Sequence, residues 1–220
     1  MRHQRNLISS TFCIFWFLAA FIMFVERLEL HKLVGFDLCI IELVQKKIDN
    51  VHTRWMKVFT FLGSPTCISA FVAIASVMFY RRGLKQEALG MLAANATGSG
   101  FNEGLKYLFR RRRPDIHRIV PAHGYSFPSG HSMGSVMFYG TLSYFICRHS
   151  TSLIGKFLVG AFSTFMVGMT GLSRIYLGVH YPSDVFAGYA AGGTWLNSSI
   201  KALNTLLPRR TNGALFKRTK

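Results

Sequence analysis

Three short segments of the sequence place basic, imidazole and carboxylate groups at spacings that chemistry can use. Lys106 and Arg113-Pro114 lie seven residues apart, almost two turns if helical, which would set both cations on one face. Pro114 disfavours helix at Arg113 and marks an end there. Pro128-Ser129-Gly130-His131 reads as a helix start, because proline suits a first turn and the N–H groups after it form a ready anion site. Ser173-Arg174 precedes His180, and Asp184 follows four residues later, a spacing at which a carboxylate can pair with an imidazole and fix its tautomer.

Lys106, Arg113 and Arg174 suit a dianionic phosphate, since guanidinium forks pair bidentately with its oxygens. His131 and His180 then supply what phosphate-ester cleavage requires, a nucleophile and a proton donor for the leaving oxygen. Only Glu103, Asp115 and Asp184 lie within or beside these segments, so no carboxylate cluster is at hand for magnesium and charge neutralisation falls to the cations.

The elements that must position these groups are apolar. Of 220 residues, 50% are apolar or aromatic and only 16% charged, a balance foreign to an ordinary soluble enzyme and to a disordered chain. Leu7 to Val25 runs nineteen residues without a charge and can cross a bilayer. It is too long for a signal-peptide core and is read as an uncleaved first span. Further runs at 58–80, 88–109, 127–147, 153–172 and 185–200 complete an all-α, polytopic layout of six transmembrane helices in a single membrane-embedded domain, 1–220. The third and sixth are rich in polar or small residues and belong inside the bundle. Residues 28–50 mix apolar and charged side chains and predict one or two interfacial helices, or a solvated connector, between spans one and two. Four scattered cysteines read as small core hydrophobes.

With six spans, the ends of spans three and five and the starts of spans four and six share one membrane face. The three segments are thereby gathered into one site, whichever way the chain is inserted. Placing both termini in the cytoplasm divides the 26 Lys and Arg evenly, 13 on each side, against the usual cytoplasmic excess. Nearly half of the outer group falls between Lys106 and Arg118, with Arg174 beside it, which marks that cluster for another task. Four consecutive arginines belong at a water interface or in a polar cavity, since hydrocarbon would cost each roughly 2.5–3.5 kcal/mol.

Lys106 to Pro114, Pro128 to His131 and Ser173 to Asp184 together resemble the three-part signature of the type 2 phosphatidic acid phosphatase superfamily, and the six-span layout resembles its integral-membrane branch. The resemblance implies a membrane lipid phosphatase acting on undecaprenyl pyrophosphate, phosphatidylglycerophosphate or phosphatidic acid. It implies that His180 attacks phosphorus to give a phosphohistidine, that Asp184 orients it, and that His131 protonates the leaving oxygen and then activates water. Lys106, Arg113, Arg174, Ser129 and the Gly130 backbone would hold the phosphate, with Asn102, Arg110 and Ser173 as auxiliary positions. Metal independence, with no cofactor, and a site on the extracellular or periplasmic face are likewise implied.

Other residues have plainer readings. His3, His31, His52 and His149 read as structural or surface groups, and His117 and His123, in the loop before span four, as solvated loop residues or substrate contacts. Arg111, Arg112 and Arg118 read as anchors to anionic headgroups, while Arg110, one turn from Lys106, is the extra substrate contact expected. Glu103 reads as a buried counter-ion. Two competing functions use the same groups: a non-enzymatic anion or phospholipid transporter, which leaves the His180–Asp184 pair unexplained, and vanadate-dependent peroxidase chemistry, which a lipid-embedded architecture disfavours. The net charge of +17 would suit nucleic acid, but the basic tail from Pro208 to Lys220 reads as a cytoplasmic anchor, so no nucleic-acid partner is expected.

Overall fold

The structure, a computed structural model, describes residues 2–115 and 117–206. The side chains of Arg2 and Arg5, and the basic tail from Pro208, lie outside the described residues. Within them the chain forms eight helices and no strand: α1 (Arg2–Glu29), α2 (Val34–Gln45), α3 (Asn50–Leu62), α4 (Pro65–Arg81), α5 (Lys85–Phe109), α6 (Gly130–His149), α7 (Leu153–Tyr176) and α8 (Pro182–Leu206).

The expected second span, 58–80, is divided between α3 and α4, which meet at a 52° bend. The sequence at the break explains it. Gly63 closes α3, Ser64 caps α4 by accepting from Cys67 N at 3.2 Å, and Pro65 opens that helix. A side chain at residue 63 would also collide with Thr170 of α7, since a Cβ there would lie 2.2 Å from its Cγ2. The break therefore lets α3 lie against α7.

Ser10–Glu29 and Leu153–Tyr176 are by themselves long and apolar enough to cross a bilayer, and the bent α3–α4 pair raises the number among the described residues to three. Helices α5, α6 and α8 are 25, 20 and 25 residues long but keep polar or small groups inside: Asn102 on α5, Ser132, Ser135 and Thr141 on α6. α8 packs against α1, α2, α5, α6 and α7, so its run of alanines and glycines serves close helix approach. Outward, Phe12, Phe15 and Trp16 of α1 and Phe157, Phe162 and Phe165 of α7 are exposed, an apolar belt that water would not favour. The cysteines are not core residues: Cys39 is exposed and Cys13, Cys67 and Cys147 are half-buried.

The 28–50 segment holds one 12-residue helix, α2, seated on α7 and α8 with Asp37 and Ile41 turned inward. Four residues separate them, so they share a face. At the same end of the bundle, an irregular connector from Arg110 to Pro128 joins α5 to α6. Phe127, fully buried between Phe21 at 6.0 Å and Phe109 at 5.1 Å, pins its far end.

Candidate active site

The ends of α5 and α7, the start of α6 and the turn that leads into α8 converge on one cavity of about 970 Å³. Lys106, Arg113, Gly130, His131, Arg174 and His180 line it together, from segments far apart in sequence. Beyond this polar end the cavity continues along α4 and α5, past Asn95 and Ser99, to Ile68, Val72 and Leu92. Lys106 is fourteen residues from Leu92 on one helix, so the wall is about 21 Å long.

His180 stands in the turn between α7 and α8. Gly178 makes that turn with φ +69°, and a Cβ there would strike the His117 carbonyl oxygen at 2.6 Å. The imidazole Nδ1 lies 3.5 Å from Asp184 Oδ2, and Nε2 lies 3.0 Å from Arg113 Nη1. The ring is therefore oriented with one nitrogen toward a carboxylate and the other toward the cavity's cations. Burial pushes the His180 pKa down to about 4, against the pull of Asp184 and with further lowering by Arg174 and Arg113. At neutral pH the ring is neutral, and a proton on Nδ1 facing Asp184 leaves the Nε2 lone pair to accept from Arg113 Nη1 on the cavity side.

Asp184, fully buried in the first turn of α8, is held from several sides. Its Oδ2 accepts from the Ser126 hydroxyl and from Tyr181 N at 2.9 Å, and its Oδ1 accepts from Arg111 Nη1 at 2.6 Å. Its carbonyl accepts from Ser129 N at 3.0 Å, tying the start of α8 to the start of α6. Gly188 permits this closeness, since a Cβ there would lie 2.7 Å from the Ser129 carbonyl oxygen.

Arg113 reaches the cavity by a route other than a shared helical face. α5 ends at Phe109 with Arg110 in the left-handed region at φ 47°, so helical spacing from Lys106 stops there. The Arg113 guanidinium is instead fastened by the Gly124, His123 and Val179 carbonyls at 3.1, 2.9 and 2.8 Å. Burial is the main force lowering its pKa. Arg174 sits in the last turn of α7, buried, donating Nη1 to Thr60 of α3 while its Nε has no partner among the described residues. Lys106 pairs with Glu103 at 2.8 Å, but Glu103 is 55% exposed rather than the buried counter-ion expected.

α6 starts one residue after Ser129, so Pro128 lies ahead of the cap, in a cis bond with Phe127, instead of in the first turn. Ser129 is buried and caps the helix, accepting from Ser132 N at 3.4 Å and Ser132 Oγ at 3.0 Å. The Gly130 backbone faces Asn102 and Lys106: a Cβ there would lie 2.9 Å from Asn102 Oδ1 and 3.3 Å from Lys106 Nζ. His131 follows on the cavity wall.

Two auxiliary positions are turned elsewhere. Arg110 is exposed and its Nε donates to the Tyr107 carbonyl at 3.0 Å, because the helix that would have aimed it has ended. Ser173 is buried and donates to the Thr170 carbonyl of its own helix at 2.6 Å. Conversely, Arg111 is no surface anchor: its side chain is 15% exposed and spans Asp37 and Asp184. Asp37, Thr60 and Ser126 lie outside the three segments, and Arg111 lies inside one as an internal bridge where the sequence suggests a headgroup anchor. The available signal was Asp37, a lone carboxylate between Val34-Gly35-Phe36 and Leu38-Cys39-Ile40-Ile41.

Residues 87–207 match the PAP2 superfamily. The chain is 34% identical over 158 residues to phosphatidylglycerophosphatase B of Bacillus subtilis, covering 69% of this chain and 77% of that protein. It is 33% identical over 123 residues to lipid A 1-phosphatase of Rhizobium etli, covering 51% of this chain and 46% of that one. Among solved structures, the transmembrane PAP2 type phosphatidylglycerolphosphate phosphatase from Bacillus subtilis superposes with a TM-score of 0.82 at 26% identity, over 90% of this chain and 98% of the other. LpxE of Aquifex aeolicus superposes with a TM-score of 0.61 at 25% identity, over 74% of this chain and 94% of the other.

Proposed function

The chain belongs to the PAP2 superfamily, and from that membership we propose that it is an integral-membrane lipid phosphatase working through a phosphohistidine. Its substrates are lipid phosphates or pyrophosphates of the class that includes phosphatidylglycerophosphate, undecaprenyl pyrophosphate and phosphatidic acid. The observation that carries this reading is the disposition of His180, with Nδ1 toward Asp184 and Nε2 toward Arg113 in a cavity that also holds His131, Lys106 and Arg174.

In the first step His180 Nε2 attacks phosphorus. The N–P bond forms as the P–O bond to the lipid breaks, and His131 gives its proton to the departing oxygen. In the second, His131 takes a proton from water, the water oxygen attacks phosphorus, and the N–P bond breaks to release phosphate. Asp184 holds the imidazole tautomer and balances the charge that develops on it. Lys106, Arg113 and Arg174, with the N–H groups at the start of α6, stabilise the equatorial oxygens of the transferring group. Ser129 contributes as the cap that aims those N–H groups. The apolar extension of the cavity toward Ile68, Val72 and Leu92 accommodates hydrocarbon.

In the membrane, α1, the α3–α4 pair, α5, α6, α7 and α8 form six spans of one unit covering 1–220, with both termini cytoplasmic and the cavity facing the extracellular or periplasmic side. Support comes from the exposed aromatic belt and from the likeness to a transmembrane phosphatase. Single-cysteine labelling from either side of sealed cells tests the orientation.

The chemistry is tested with detergent-solubilised protein and parallel kinetics on the three lipids. His180→Gln is expected to abolish phosphate release without loss of expression, and wild-type protein quenched in turnover should yield acid-labile, alkali-stable phosphoprotein. Full activity in His180→Gln would remove His180 as the nucleophile.

A further inference from the structure

Asp37 is buried on α2, far from the signature segments in sequence, yet it accepts three hydrogen bonds from groups of the site. Ser183 N donates to Oδ1 at 2.8 Å, Ser183 Oγ to Oδ2 at 2.7 Å, and Arg111 Nη2 to Oδ2 at 2.8 Å. Arg111 turns its other nitrogen, Nη1, to Ser183 Oγ at 2.8 Å and Asp184 Oδ1 at 2.6 Å. Its guanidinium lies 4.1 Å from the ring centroid of Tyr181, which restricts the plane it can adopt. Two carboxylates and one guanidinium thus clamp the first turn of α8, where Asp184 faces His180.

The arrangement has a geometric and an electrostatic consequence. With Oδ1 taken by Arg111 and Oδ2 by Ser126 and Tyr181, the Asp184 carboxylate cannot rotate away from His180. Electrostatically, Arg111 is shared, so the Asp37–Arg111–Asp184 group carries one net negative charge rather than two. Two unshared carboxylates would make His180 a stronger base and trap it as imidazolium, which has no lone pair for attack. The remaining charged or titratable groups that act on His180 or on neighbouring His131 are Arg174 on α7, Arg113 on the connector and Lys106 on α5.

We propose that Arg111 and Asp37 are positioning residues for phosphoryl transfer: Arg111 locks Asp184 against His180, and Asp37 fixes Arg111, so that α2 governs the orientation and basicity of the nucleophile. This rests on the reading of His180 given under Proposed function.

The test compares Asp37→Asn and Arg111→Gln with wild type on one lipid phosphate, as pH profiles of kcat/KM, so that ionisation of the substrate cancels. Each variant is expected to lose about ten- to a hundredfold in kcat, the scale of a lost charge-assisted hydrogen bond, with KM changed less. The diagnostic readout is the acid limb. Removing the positive charge in Arg111→Gln moves it to higher pH, and removing the negative charge in Asp37→Asn moves it to lower pH. A merely structural role would lower activity in both without opposed shifts, and that result overturns the proposal. Arg111→Lys keeps the charge and gives a decisive arm even if the neutral variants do not accumulate. One ammonium cannot replace the fork between two carboxylates, so kcat falls while the acid limb stays, and wild-type kcat in Arg111→Lys overturns the proposal. A wild-type protein inert toward every lipid phosphate would instead remove the reading of the site itself.

Discussion

The Ser126 hydroxyl donates to Asp184 Oδ2 and lies 3.4 Å from His180 Nδ1, so one buried serine touches both members of the histidine–carboxylate pair. Ser126 stands outside the three signature segments and is delivered by the α5–α6 connector, where its N–H also donates to the Arg111 carbonyl at 2.8 Å. Ser126→Ala removes one donor from a fully buried carboxylate, a loss worth about 1.5–3 kcal/mol for a charge-assisted bond. The expected outcome is a fall in kcat of roughly ten- to a hundredfold with KM little altered. Steady-state kinetics on a lipid phosphate checks it.

His131 and His180 are expected to fail differently. With an activated aryl phosphate, whose leaving group needs no protonation, His131→Gln should still form phosphoenzyme and release a burst of phenol up to one equivalent. Turnover then slows by about 10²–10⁴, the usual contribution of a general acid–base. His180→Gln should show no burst. Rapid-mix absorbance separates the two roles.

The low pKa of His180, about 4, produced chiefly by burial, sets a pH window for stability as well as activity. Between pH 6.5 and 4 an unfolded chain protonates this ring while the folded one does not, so acidification favours unfolding. Stability tied to His180 is complete above pH 6.5, declines as pH falls through that window, and changes no further below it. Thermal midpoints in detergent should follow that course in wild type, and His180→Gln should flatten part of the slope.

At Gly188 the expected effect is steric. A methyl group there meets the Ser129 carbonyl oxygen at 2.7 Å and Ser132 Cβ at 3.0 Å, so Gly188→Ala must push the start of α6 from α8. Overpacking of this kind costs about 1–3 kcal/mol, and a displacement near 1 Å at the turn proposed to hold phosphate can reduce kcat by about 10². Gly160→Ala on α7, where nothing lies within 4 Å of the added carbon, is the control and should leave both midpoint and kcat unchanged or slightly raised.

The convergence of Lys106, Arg113, His131, Arg174 and His180 was legible because alternating helices return their ends to one side, an argument that needs only the order of apolar runs. The path taken by Arg113 was not legible. A seven-residue spacing implies a shared face only while the helix lasts, and α5 ends at Phe109. The broken second span was written in Gly63-Ser64-Pro65, but hydropathy averages across such a break. Arg111 and Arg112 are indistinguishable as residue types, and only the tertiary position of Asp37 makes the first an internal bridge. Ser129 illustrates the converse, since a hydroxyl that the sequence offers as a phosphate contact is also a helix cap, and sequence gives no way to rank the two uses.

The region matched to the superfamily begins at residue 87, yet Asp37 and Thr60 bond directly to side chains of the site. The recognisable signature and the operative unit therefore differ in extent. A chimera that transplanted only the segment from residue 87 onward would carry every signature residue but would leave Arg111 and Arg174 without the oxygen partners supplied by α2 and α3. In this chain, a replacement for the amino-terminal helices must therefore bring its own carboxylate to the first turn of α8 if Arg111 is to stay bridged.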